Sequence, residues 1–156
     1  MRTLKNKSKD DSSLFISGEV IGRVYDKSGN MVHEFKQKNL VVNGAKTSLA
    51  SGAGGGTNPL SYTPVIKIGT GTTAPSTAQT SLTTTDTAAS STLTERTYSG
   101  STATITYTFH TANQKTYTET GIFFGSIMWS RVLFDNPVTV PTGGYYTHTW
   151  KLTFSS

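Results

Sequence analysis

Residues Thr102 to His110 read TATITYTFH. Ile105, Tyr107 and Phe109 fall on one side of an extended chain, and Thr104, Thr106 and Thr108 on the other. That period of two marks a half-buried β-strand, and β-branched threonines suit its solvated face. The closing segment, Tyr146 to Phe154 (YTHTWKLTF), repeats the pattern with Tyr146, His148, Trp150, Leu152 and Phe154 on the inner face. Between the two, Thr116 to Phe124 reads as a further strand in which Gly121 is a bulge or a point of close approach. Ile127 to Phe134 (IMWSRVLF) is apolar on both faces apart from Ser130 and Arg131, as in a central strand. Ala112-Asn113-Gln114 makes a turn, and Pro137, Pro141 and Gly143-Gly144 bracket a loop.

Towards the N-terminus, Leu14 to Tyr25 (LFISGEVIGRVY) reads as one long strand with a bulge at Gly18 or Gly22. Asp26 to Asn30 supplies a turn, and Met31 to Phe35 returns as the second strand of a hairpin. Asn39 to Asn43 (NLVVN) is a short apolar strand. Gly44 to Ser51 fits two helical turns with Ala45 and Leu49 on one side, and fits an extended run nearly as well. Gly52 to Pro59 is flexible punctuation.

Val65 to Leu82 (VIKIGTGTTAPSTAQTSL) begins as a strand and breaks at Gly69 and Gly71 into Thr-rich chemistry. A phosphate cradle there would need a following Gly-Lys-Ser/Thr and an amphipathic helix. Neither is present, so the stretch reads as a strand plus a Thr/Pro-braced connection. Ser76 to Ser91 is expected to cross between two sheets, and Leu93 to Tyr98 opens the strand-rich second half. The predicted fold is all-β: an antiparallel β-sandwich, Ig-like or jelly-roll-like, with residues 14–156 as its single domain and residues 1–13 as a basic N-terminal arm.

Composition agrees. The chain has 156 residues, a hydrophobic fraction of 34%, only 15% charged residues and a mean hydropathy of −0.31. Low hydrophobicity without high net charge is not the signature of disorder; here Ser and Thr fill the polar positions. The chain contains no Cys, which excludes a disulfide framework and thiolate metal ligation. The basic start, MRTLKNKSKDDSS, is followed by no apolar stretch of signal-peptide type, and no run is long enough to cross a membrane as a helix. The net charge of +5 is concentrated early. Arg2, Lys5, Lys7 and Lys9 precede the first acid, Asp10, and are the candidate assembly contacts of the arm. The arm has no aromatic residue for base stacking, so nucleic acid is not the expected partner.

Candidate chemistry is sparse. His33, His110 and His148 form no ligand-spaced pair, so no metal is expected; His148 lies on an apolar face and reads as a hydrogen-bonded core or interface residue. Asp86, Glu95, Glu119 and Asp135 are the acids of the second half, and Glu119 is expected to pair with Arg96 or Arg131. No G-x-S-x-G nucleophile elbow occurs, so no catalytic residue is assigned and no cofactor is expected. Trp129 and Trp150, with Tyr62, Tyr145 and Tyr146, include the aromatics a sugar platform would use. Alternation sends Trp150 to the core and leaves Tyr145 as the candidate surface contact. Asn6-Lys7-Ser8 matches a glycosylation sequon, without a secretion signal to give it meaning.

Several pieces, taken in order, resemble a family of small tailed-bacteriophage and prophage virion proteins, often tail-fibre or tail-associated. They are Asn39-Leu-Val-Val-Asn43, Val65 to Pro75 with Thr80-Ser-Leu82, Thr108-Phe109, Glu119-Thr-Gly-Ile-Phe123, Ser130-Arg-Val-Leu-Phe134 and Thr149 to Phe154. Gln79 stands where the pattern has an acidic residue before Thr80, and Thr111 replaces another ahead of Ala112-Asn113. The resemblance implies a non-enzymatic β-sandwich, made in the host bacterial cytoplasm and built into the virion. Its partners would be other virion proteins and copies of itself, in a tail, neck, fibre base or capsid surface. The alternative is a carbohydrate- or host-surface-binding module of a phage particle, with a host glycan as partner. No membrane is implied.

Overall fold

The computed structural model describes residues 14–155. Among these residues nine strands form two antiparallel sheets: β1 (Phe15–Tyr25), β2 (Met31–Lys38), β3 (Leu40–Val41), β4 (Pro64–Gly69), β5 (Ser90–Ser99), β6 (Thr102–His110), β7 (Lys115–Phe124), β8 (Ile127–Val140) and β9 (Tyr145–Ser155). One sheet has the order β2-β1-β9-β6-β5 and the other β3-β8-β7-β4. The architecture is the expected all-β antiparallel sandwich. The basic arm at residues 1–13 lies outside the described residues.

The period of two in the sequence becomes the inner face of the five-stranded sheet. Val20 and Val24 from β1, Ile105, Tyr107 and Phe109 from β6, and Tyr146, Trp150 and Leu152 from β9 are buried. They meet Ile66 and Ile68 of β4, Tyr117, Ile122 and Phe124 of β7, and Trp129, Val132 and Phe134 of β8 in one core. Outward, Thr106 and Thr149 sit opposite each other and share a hydroxyl–hydroxyl hydrogen bond of 2.9 Å, as do Thr102 and Thr153. Such cross-strand pairs let a solvated face contribute to sheet stability.

Of the two readings open for the run after Asn39–Asn43, the helix is the one found, α1 (Asn43–Ala53). Ala45, Ser48 and Leu49 recur at helical spacing and pack inward, and the Gly54–Gly56 run ends it, with Gly55 at φ +90°. The long first strand carries no bulge at Gly18 or Gly22, because its register with β9 is unbroken. A Cβ at Gly22 would run into the Phe35 ring and lie 2.8 Å from the Tyr146 hydroxyl, and one at Gly18 would strike the Asn39 side chain. Both glycines thus serve close packing. Pro137 does not open a loop: β8 runs through it to Val140, and it falls where the β7–β8 register shifts, between the Glu119–Leu133 and Tyr117–Val138 pairs. There no ladder N–H is required of it. The turn expected at residues 112–114 carries the chain from one sheet to the other.

The connection between β4 and β5, residues 70–89, does cross between the sheets as expected, but it first folds back over the outer face of the four-stranded sheet. Thr70 N–H donates to Thr84 O at 2.9 Å and Asp86 N–H to Ile68 O at 2.9 Å, so the loop returns along the edge of β4. Leu82 closes a second small cluster with Val42, Phe123 and Met128. Covered by the loop, residues 119–124 of β7 and 128–132 of β8 are buried on both faces.

Candidate functional site

Under that loop lies the chemistry that the sequence left unassigned. Glu119 and Arg131 have no exposed side-chain surface. Glu119 Oε1 accepts the N–H of Gly71 at 3.0 Å and of Thr84 at 2.7 Å, and Oε2 accepts the N–H of Thr83 at 3.1 Å. Arg131 donates to Oε2 from Nε at 3.0 Å and from Nη2 at 2.7 Å. The rest of the guanidinium goes to the same loop: Thr73 O at 2.8 Å, Thr83 Oγ1 at 3.3 Å and Gln79 Oε1 at 3.1 Å. Thr118 Oγ1 donates to Gly71 O at 2.7 Å. A buried charge is tolerated when it is paired and hydrogen-bonded throughout, and this pair is.

Of the two partners expected for Glu119, the structure selects Arg131; Arg96 is exposed and reaches only Tyr62 O at 3.5 Å. Ser130 and Arg131, expected as the polar exceptions of β8, are buried. Ser130 Oγ donates to Leu40 O at 2.7 Å. Burial alone would raise the Glu119 pKa, but the Thr84 N–H, the Arg131 guanidinium and the Thr83 N–H outweigh it and hold the carboxyl below its ordinary value.

The glycines of the Ile68-Gly-Thr-Gly71 turn follow from the same geometry. A Cβ on Gly69 would lie 2.9 Å from Glu119 Oε1 and collide with the Thr84 carbonyl, and one on Gly71 would lie 2.8 Å from Glu119 Cδ. The loop backbone must approach the carboxylate closely, and only glycine permits that. Gln79, where the resembling pattern has an acid, gives its amide oxygen to Arg131 and accepts the Ser76 N–H at 2.8 Å.

A second clamp holds the far end of the loop. Asp86 accepts from Lys115 Nζ at 2.6 Å, Tyr117 OH at 3.3 Å and the Ala88 N–H at 3.0 Å. Desolvation would raise the Asp86 pKa, and these donors, Lys115 first, bring it below the usual value. Tyr117 is pushed up to about 12 by burial and by the Asp86 carboxylate.

The acids of the second half are therefore engaged separately. Glu95 is exposed and accepts from the Thr97 and Thr106 hydroxyls, and Asp135 pairs with Gln37 across the sandwich. His33 and His110 are exposed on β2 and β6, whereas His148 is fully buried and hydrogen-bonded to Tyr146 through Nδ1. Burial lowers the His148 pKa to about 3 and raises that of Tyr146, so the two side chains share this hydrogen bond as neutral groups. Among the described residues, no group of three or more His, Asp or Glu is placed to hold a metal ion.

Trp129 and Trp150 lie in the core, and Tyr62 is exposed beside the Gly125 turn. Tyr145, the candidate surface contact, is half-buried on the outer face, stacked on Tyr25 with ring centroids 4.6 Å apart and 5.7 Å from the His110 ring. Arg2, Lys5, Lys7 and Lys9 lie outside the described residues. The loop residues Thr73, Thr83 and Gln79 were missed as partners of Arg131, because nothing local announces a contact some 50 residues away. No helix among the described residues is long and apolar enough to cross a membrane. No family model, curated protein or solved structure matches the chain.

Proposed function

We propose that the chain is a non-enzymatic structural protein of a bacteriophage particle, working through contacts with other virion proteins and with copies of itself in a tail, neck, fibre base or capsid surface. The observation that carries this reading is the convergence on one lock of motifs scattered through the sequence. Gly69 to Thr73, Glu119 and Arg131, from three of the pieces that resemble the virion family, meet there. Their polar atoms are spent on holding a long connection against a sheet. Long connections in compact domains are usually functional lids or disordered segments; a loop locked this firmly serves as part of a rigid building block.

Residues 1–13, with Arg2, Lys5, Lys7 and Lys9, are the proposed grip on a neighbouring subunit. Particles assembled without the chain should be incomplete or non-infectious, and supplying the chain in trans should restore them. Complete, infectious particles in its absence would overturn the reading. A second reading, a host-glycan-binding module, rests on the Tyr25–Tyr145–His110 aromatic row on the outer face. It requires glycan binding by the purified chain that Tyr145→Ala abolishes.

A further inference from the structure

The described chain starts beside an apolar groove of about 850 Å³ between the beginning of β1 and α1. Leu40, Val41 and Leu49 line it, with Ile16 and Ala53 at its sides, and Leu14 and Phe15 stand at its mouth 66% and 59% exposed. Two features say what fits it.

The first is a strand edge left open among the described residues. β1 pairs with β9 from Phe15 onward, but its ladder with β2 begins only at Glu19–Lys38. On that side the Asn39 N–H reaches Gly18 O at 3.2 Å, and among the described residues the pairing goes no further. Among the described residues nothing pairs with 15–17 on this side, so their main-chain groups along the groove offer a template for an added strand. The second feature is charge. Exposed Lys38 and Lys46 both line the groove, and among the described residues no acidic one does.

We infer that this groove takes an extended segment of another protein, added as a strand beside residues 15–17, with alternate apolar side chains in the groove and Asp or Glu flanking them near Lys38 and Lys46. The charge disfavours the other occupants. A second copy presenting the same face around a two-fold axis would set these lysines against each other. The chain's own residues 1–13 bring Arg2, Lys5, Lys7 and Lys9 against only Asp10 and Asp11. The inference rests on the assembly reading only for the source of the segment; the groove and its edge do not depend on it.

The test is a titration of the isotope-labelled full chain, followed by amide NMR, with a synthetic peptide of three alternating valines flanked at each end by two glutamates. The amides of residues 15–18, 40–41 and 46–53 are expected to shift. The same peptide flanked by lysines should bind at least about tenfold more weakly, a difference of about 1.4 kcal/mol, and the contrast should shrink as salt rises. Charge reversal at the exposed lysines, Lys38→Glu with Lys46→Glu, should invert the preference while leaving the spectrum of the core unchanged.

Absence of shifts at millimolar peptide, or equal binding of both peptides, overturns the inference. So does a concentration-dependent dimer that Phe15→Ser abolishes, which would make a second copy the occupant. A chain present in particles but blind to the peptide sinks the groove alone. A chain that binds the peptide but is absent from particles sinks the virion reading alone.

Discussion

Replacing Glu119 with Leu and Arg131 with Met in one variant separates a simple ion pair from a loop lock. For a simple buried pair, apolar residues of similar size in both positions are neutral or stabilising by about 1–4 kcal/mol. Here the carboxylate also satisfies the backbone N–H groups of Gly71, Thr83 and Thr84. Without it those donors face an apolar cover, and each unsatisfied buried group costs about 1–3 kcal/mol. The double variant should therefore lose about 3 kcal/mol or more, up to the point where the loop swings out to water. Glu119→Gln alone strands the buried guanidinium and should cost about 3–5 kcal/mol. Urea unfolding of the full chain gives the free energies, and hydrogen exchange at the Gly71, Thr83 and Thr84 amides locates the loss. A double variant within about 0.5 kcal/mol of the parent, with those amides still protected, would refute the reasoning.

The buried His148 makes the fold acid-sensitive before any carboxylate does. Its folded pKa is about 3 against 6.5 unfolded, so below pH 6.5 the unfolded chain takes up a proton that the folded chain refuses. Stability should fall by about 1.4 kcal/mol per pH unit over that window, and His148→Leu should flatten the slope; a parent equally stable at pH 7 and pH 5 would contradict this. Glu119 and Asp86, both held below their ordinary values, add a further loss as pH falls below the usual carboxylate range. Gly69→Ala should cost about 1–3 kcal/mol, since the new methyl meets backbone at Thr84 rather than a movable side-chain tip; an unchanged melting temperature would count against the close approach. Removing residues 1–13 should leave the circular dichroism of the domain intact and reduce incorporation into particles, and unchanged incorporation would exclude Arg2, Lys5, Lys7 and Lys9 as contacts.

The sandwich was readable because its central strands alternate. In β6 and β9 each inward residue is apolar or aromatic, with His148 the exception, and the outward ones are mostly Thr, so burial follows from local pattern. The lock was not readable for the converse reason. Ser130 and Arg131 look solvated when β8 is taken alone, but Ser130 bonds to Asn39 and Leu40, about 90 residues earlier, and what covers Arg131 is a loop about 50 residues earlier with almost no apolar anchor besides Leu82. Polar burial of this kind is visible only once the partner is in place. Glu119 was named with Arg131 as one of two partners, yet the three N–H groups that complete its coordination belong to backbone and leave no mark on residue identity. The helix at Asn43–Ala53 fell in between: its small, weakly apolar face fits either conformation until β8 packs on Ala45 and Ser48.

Quantitative mass spectrometry of purified phage particles tests the structural role most directly. The chain is expected in every preparation at a fixed ratio to the major virion proteins, with hundreds of copies for a capsid decoration or a dozen or fewer for a tail or neck component. A chain that is expressed during infection but stays in the lysate, absent from washed particles, would contradict it.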